Sequence, residues 1–133
     1  MAAFTVTPRS NFVDWSSGKA SMPATGTRYI TISTGDMQAG GTEVLTTIAG
    51  SAVRPQLTSA MAAAVAGSAT NSVAQISFTT SAVNGSPVVV SWIAIYDAST
   101  AGNLIATAAV TNKTITTGDA LYIPISGLTI AAS

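Results

Sequence analysis

From Arg28 onward the chain is a succession of short runs rich in β-branched and aromatic residues, each closed by a cluster of Gly, Asn, Asp or Ser. This rhythm restricts the fold more than any other feature. Runs this short favour strands over helices, and the punctuation supplies the positive φ angles and side-chain-to-backbone hydrogen bonds that tight turns require. The runs predict strands at Arg28–Ser33, Val73–Thr80, Val88–Tyr96, Asn103–Val110, Lys113–Thr116, Ala120–Ile125 and Leu128–Ala131. Turns are expected at Thr34-Gly35-Asp36, Gly40-Gly41, Asn84-Gly85, Ala101-Gly102-Asn103 and Thr117-Gly118-Asp119. Strands at such regular spacing predict an all-β domain, a sandwich or a barrel.

Within Val88–Asp97 both alternating sets are apolar: Val89, Ile93 and Ile95 on one face, Val88, Val90, Trp92 and Tyr96 on the other. Such a strand either runs centrally between two covered faces or shows its aromatic face to a partner. Pro124 cannot donate to a ladder, so the segment around it is expected at an edge or a bulge. Pro55 to Gly67 is ambiguous. Proline at its start, an alanine-rich interior and a glycine past its end favour a short helix, with a flanking strand as the alternative. Residues 1–27 read as an extended N-terminal arm, broken by Pro8, Gly18, Pro23 and Gly26 yet carrying Phe4, Phe12 and Trp15. An arm with three aromatic residues is expected to lay them into grooves, its own or a neighbour's. The organisation is therefore an arm over 1–27 and one β-domain over 28–133.

Composition narrows the chemistry. The chain has 133 residues, no Cys and no His, so thiolate and imidazole catalysis and the usual zinc, copper or haem ligand sets are unavailable to it alone. Charged residues make up only 8%, balanced at five of each sign. An ordinary soluble domain carries about 25%, so a weakly charged surface that favours association is expected here. Zero net charge offers no footprint for phosphates, and no nucleic-acid partner is expected. No polybasic patch or long apolar run points to a membrane. The acids Asp14, Asp36, Glu43, Asp97 and Asp119 are scattered, no serine stands in a Ser-x-x-Lys or Gly-x-Ser-x-Gly setting, and no phosphate-cradling loop is present. No enzyme activity, cofactor or metal is expected. Asp36 and Asp119 each follow Thr-Gly, a position from which an aspartate accepts hydrogen bonds from its own turn.

From Ile76-Ser77-Phe78 through Trp92-Ile93-Ala94-Ile95-Tyr96-Asp97-Ala98 and Gly102-Asn103-Leu104 to Gly118-Asp119-Ala120-Leu121, the chain resembles a family of small tailed-bacteriophage virion proteins. The shared pattern is an apolar strand entering an Asp-Ala-x-x-x-Gly-Asn-Leu turn, a further strand, then a Gly-Asp turn. Asp97, Gly102, Asn103, Gly118 and Asp119 are its turn residues here. Tyr29-Ile30-Thr31-Ile32 and Gly41-Thr42-Glu43-Val44 resemble the family's first strand and following loop, and Pro55–Gly67 is where the chain departs from it. The resemblance implies a jelly-roll-like β-sandwich and a non-enzymatic virion role, made in the host cytoplasm. Capsid decoration is the first expectation, with the major capsid protein and copies of the chain itself, as dimer or trimer, for partners. A tail-fibre or collar-associated subunit is the alternative. A carbohydrate-binding module is a third reading, resting on Trp92 and Tyr96 sharing a strand face. Phe4, Phe12, Trp15, Trp92 and Tyr96 are the expected interface residues.

Overall fold

The computed structural model describes residues 3–4, 13–14, 16–19, 26–49, 53–78 and 87–131. The strands are β1 (Ala3–Phe4), β2 (Tyr29–Ser33), β3 (Ser68–Thr70), β4 (Ile76–Phe78), β5 (Val88–Tyr96), β6 (Leu104–Ile115), β7 (Leu121–Ile123) and β8 (Thr129–Ala131). They form a four-stranded sheet in the order β1-β6-β5-β2 and two ribbons, β3-β8 and β4-β7. Every ladder is antiparallel. Among the described residues from 26 on, helix is confined to the single turn Leu45–Ala49 and to 3₁₀ turns at Met37–Ala39 and Thr58–Ala60. The chain is all-β.

Register explains the core. Ile30 pairs with Ile95 and Ile95 with Ala106, while Ile32 pairs with Ile93 and Ile93 with Ala108. Two rows of branched and small side chains thus cross one face of the large sheet. They join a single buried cluster with Ile76 and Phe78 of β4, with Leu128, with Val44, and with Leu45 and Ile48 from the helical turn. Burial of this apolar surface, at about 25 cal/mol per Å², is the main force holding the ribbons to the sheet. Val90 also reaches the cluster, although its odd separation from Ile93 would set the two on opposite faces. The β5–β6 register breaks between Val90 and Trp92, and that irregularity lets both point inward.

Three expectations need correction. Pro55–Gly67 is not the expected short helix, and only its start flanks the sheet, where Gln56 bridges Tyr29. The Pro55 carbonyl accepts from the Ile30 amide and the Leu57 amide donates to the Arg28 carbonyl, so this piece covers the outer edge of β2 and its helical propensity yields to edge pairing. It then turns through Thr58–Ala60 and ends in a tight reversal, in which the Val65 and Ser68 amides bond each other's carbonyls across Ala66 and Gly67, both at positive φ. Secondly, the two strands expected on either side of Thr111-Asn112 are one continuous strand, β6, because the register break absorbs those residues without a turn. Thirdly, Val73–Thr80 shrinks within the described residues to Ile76–Phe78. Of the segment read as an arm, Ala3 and Phe4 pair with Thr107 and Ala106 at the edge of β6. Phe12, Trp15 and the Asn84-Gly85 turn lie outside the described residues.

Candidate functional site

The face of the large sheet opposite the core carries the chain's most organised polar group. Tyr29, Thr31 and Ser33 on β2 stand opposite Tyr96, Ala94 and Trp92 on β5, and Ala94 stands opposite Thr107 on β6. Thr31, Ser33 and Thr107 are buried. Ser33 Oγ donates to the Gly35 carbonyl at 2.8 Å and Thr107 Oγ1 to the Ile93 carbonyl at 3.3 Å, Thr31 bonds to Glu43, and Arg54 lies over the Tyr96 ring. Its guanidinium lies 3.7 Å from the centre of the Tyr96 ring, so the positive plane rests on the negative ring face. Nε and Nη2 each donate to one oxygen of the Glu43 carboxylate at 2.9 Å, a two-point fork only arginine provides. Nη1 donates to the carbonyls of Ala98, at 3.2 Å, and Ala101, at 2.5 Å. Thr31 Oγ1 donates to Glu43 Oε1, and the Arg54 amide donates to the Ser99 carbonyl at 2.9 Å.

Arg54 is 6% exposed and Glu43 23%, so the ion pair is shielded from bulk water. Burial raises the Tyr96 hydroxyl pKa above the usual tyrosine value, which keeps the ring neutral beneath the guanidinium. The arrangement is a clamp. It ties the Glu43 loop, the Arg54 segment and the 97–103 turn to the sheet, and its donors and acceptors are directed at one another.

That turn is built by Asp97. Its Oδ1 accepts from the Asn103 amide at 2.7 Å and its Oδ2 from Asn103 Nδ2 at 2.8 Å. These bonds from Asn103 hold the carboxyl below the usual aspartate range. Gly102 sits at φ 78°, and a Cβ there would lie 2.5 Å from Asp97 Oδ1 and 2.7 Å from Ala98 Cβ. Gly118 sits at φ 91° with open space around it. The two glycines therefore differ in kind. Gly102→Ala is expected to cost about 2–3 kcal/mol, backbone strain plus a clash with the capping carboxylate, whereas Gly118→Ala costs about 1 kcal/mol of strain alone. Urea midpoints of the two variants check the order; equal losses would show that the Gly102 contact is relieved at no cost.

Asp119 Oδ2 accepts from the Thr116 amide at 2.8 Å and from Thr116 Oγ1 at 3.0 Å, which lowers its pKa, and Asp36 Oδ1 accepts from the Gln38 amide at 2.9 Å. Both lowered groups, Asp97 and Asp119, contribute stability that is present above the ordinary carboxylate pKa of about 3.9 and lost as pH falls through their folded values. Stability is thus expected to decline in acid below about pH 4. An Asp97→Asn, Asp119→Asn double variant should flatten that decline in denaturant titrations at neutral and acid pH; an unchanged slope would assign it to other groups.

The expected interface residues divide. Trp92 is half-buried, and Tyr96 is covered by Arg54, so the two do not form an open stacking platform for a sugar. Phe4 lies in β1. Arg54 and its pairing with Glu43 escape sequence reasoning, since each looks like an isolated surface charge; the only available signal is that both belong to a chain with very few charges. A second such residue is Asn71, fully buried between the ribbons.

Compared with curated proteins, the chain matches none. A family model described as Podophage GP4 fiber I protein gp80 matches residues 3–131, which include the Asp97–Asn103 and Gly118–Asp119 turns, both ribbons and the Arg54–Glu43 clamp. A match over nearly the whole length shows the family, and the chain belongs to the podophage fiber I protein gp80 family of phage virion structural proteins.

Proposed function

We propose that this chain is a non-catalytic structural subunit of a podophage particle, and that it is built into the fibre apparatus. The observation that carries the reading is the family match over residues 3–131, whose description is a fibre protein. The geometry is in keeping with it. Asp36, Asp97 and Asp119 are bonded to the backbone of their own turns and Glu43 to Arg54, so these acids serve the fold. Their hydrogen bonds stabilise surface turns that must keep their shape in an assembled particle. In this reading the strands of residues 28–133 make up a jelly-roll-like sandwich, to whose large sheet β1, from the 1–27 arm, adds an edge strand. Capsid decoration, the first expectation from the residues, has no support from the family description.

Cryo-electron microscopy of the particle tests the assignment by fitting the β-domain to density. Density restricted to fibres or their attachment collar supports it. Density repeated over the icosahedral shell overturns it in favour of decoration.

A further inference from the structure

Lysine and arginine are so sparse in this chain that the bonds open to a trypsin-class protease can be counted. Such enzymes cut after Lys or Arg, because the cation must reach a carboxylate in their specificity pocket. From Arg28 to Ser133 the sequence offers three of these bonds, Arg28–Tyr29, Arg54–Pro55 and Lys113–Thr114. An ordinary domain of similar length, with about 25% charged residues, carries on the order of a dozen.

Each of the three is shielded in its own way. The Arg28 carbonyl, the group a protease attacks, accepts from the Leu57 amide at 2.7 Å and from the Thr58 amide at 3.4 Å, and the Arg28 amide donates to Thr58 Oγ1 at 2.7 Å. Tyr29, across the bond, is paired with Tyr96. Arg54 is 6% exposed and its guanidinium is held by Glu43, Ala98 and Ala101, so it cannot enter a specificity pocket while the fold stands. The residue after it is Pro55, whose ring takes the place of the amide N–H on the leaving side and obstructs cleavage even in an opened chain. The Lys113 side chain is exposed, but its bond lies inside β6, where Lys113, Thr114 and Ile115 pair with Val90, Val89 and Val88, and Ile115 is fully buried. A protease cleft takes an extended segment through its own main-chain bonds, so the segment must first leave its partners. Freeing residues around Lys113 takes β6 off β5, the central pairing of the large sheet.

We propose that the placement of these three residues hardens the β-domain against trypsin-class proteases, so that none of its lysine or arginine bonds is cut unless the whole domain unfolds. Such resistance suits a subunit of a phage particle, which must persist outside a cell. It holds for a fibre subunit and a shell subunit alike, so it stands apart from the fibre assignment.

Trypsin digestion of the native full-length chain, followed by intact mass spectrometry, tests the proposal. Products are expected to begin at Met1, Ser10 or Ala20 and to end at Ser133. Cuts after Arg28 and Lys113 should be slow, and in low urea their rate should climb along the slope of equilibrium unfolding, as cleavage through the unfolded chain requires. Asn71→Leu, which alters none of the three bonds, should raise that rate about a hundredfold or more. Ala63→Lys tests placement. Ala63 and Ala64 are exposed and lie outside any strand, so this variant should melt like the wild type yet be cut quickly after residue 63 in native buffer. Three results would overturn the proposal: rapid release of fragments that begin at Tyr29 or end at Lys113, a urea slope well below that of unfolding, or an Ala63→Lys chain as resistant as the wild type, which would credit general rigidity instead of placement.

Discussion

Arg54→Met is expected to remove about 3–5 kcal/mol of folding stability, a large part of the 5–15 kcal/mol typical of a domain. The loss comes from what is left behind. Among the described residues Glu43 keeps only Thr31 Oγ1 as a side-chain partner, and the carbonyls of Ala98 and Ala101 lose their bonds to Nη1. Removing one member of a shielded pair costs far more than removing both, because the survivor stays charged without compensation. Arg54→Met with Glu43→Leu is therefore expected to be more stable than Arg54→Met alone, yet below wild type by about 1–2 kcal/mol for the two carbonyls. Arg54→Lys supplies a point charge in place of the fork and the planar stack on Tyr96, and is expected to lose about 2 kcal/mol. Guanidinium denaturation of the four proteins checks the series. A double variant no more stable than Arg54→Met would mean that the pair is not the source of the loss.

That clamp also marks where legibility in the sequence stops. The turns can be read because their physics is local: Asp97 reaches Asn103 six residues on, and Gly102 and Gly118 supply positive φ where the chain reverses. Strand β5 can be read to its ends because nine consecutive residues carry the β-favouring pattern. Arg54 and Glu43, in contrast, meet only after the outer edge of β2 is paired along its length, by Val44 and Thr42 toward one end and by Pro55 and Leu57 toward the other. Nothing in either residue's neighbours announces that contact. The same edge pairing fixes Pro55–Thr58, and the alanine-rich residues that follow bond to Thr70, Val73 and Ser68 instead of forming the expected helix. Short strands such as Ser68–Thr70 go unread because their residues have weak β-propensity and β8 alone makes them strands.

Asn71→Leu is expected to cost about 3–5 kcal/mol although it adds apolar volume to a site with no solvent exposure. Asn71 Nδ2 donates to the carbonyls of Pro124, at 2.7 Å, and Ala74, at 3.3 Å, while Oδ1 accepts from the Leu128 amide at 2.8 Å. Its own amide donates to the Leu128 carbonyl at 3.2 Å and its carbonyl accepts from Ser126 at 3.2 Å. Leucine keeps those two backbone bonds and breaks the other three. The Pro124 carbonyl still receives the Gly127 amide, so the penalty falls mainly on the buried Leu128 amide and the Ala74 carbonyl. Asn71→Asp sharpens the test, because it preserves shape and changes only one group from donor to acceptor. Its carboxylate would face the Pro124 and Ala74 carbonyls, so the folded state favours the protonated acid and the folded pKa rises above about 3.9. By linkage the variant's loss relative to wild type is small below about pH 4 and grows as pH rises, opposite in sign to the acid sensitivity expected from Asp97 and Asp119. Stability-versus-pH curves for Asn71→Asp and the wild type that lie close together in acid and diverge as pH rises are the expected result. Parallel curves would show that the side chain at this position is not held against those carbonyls.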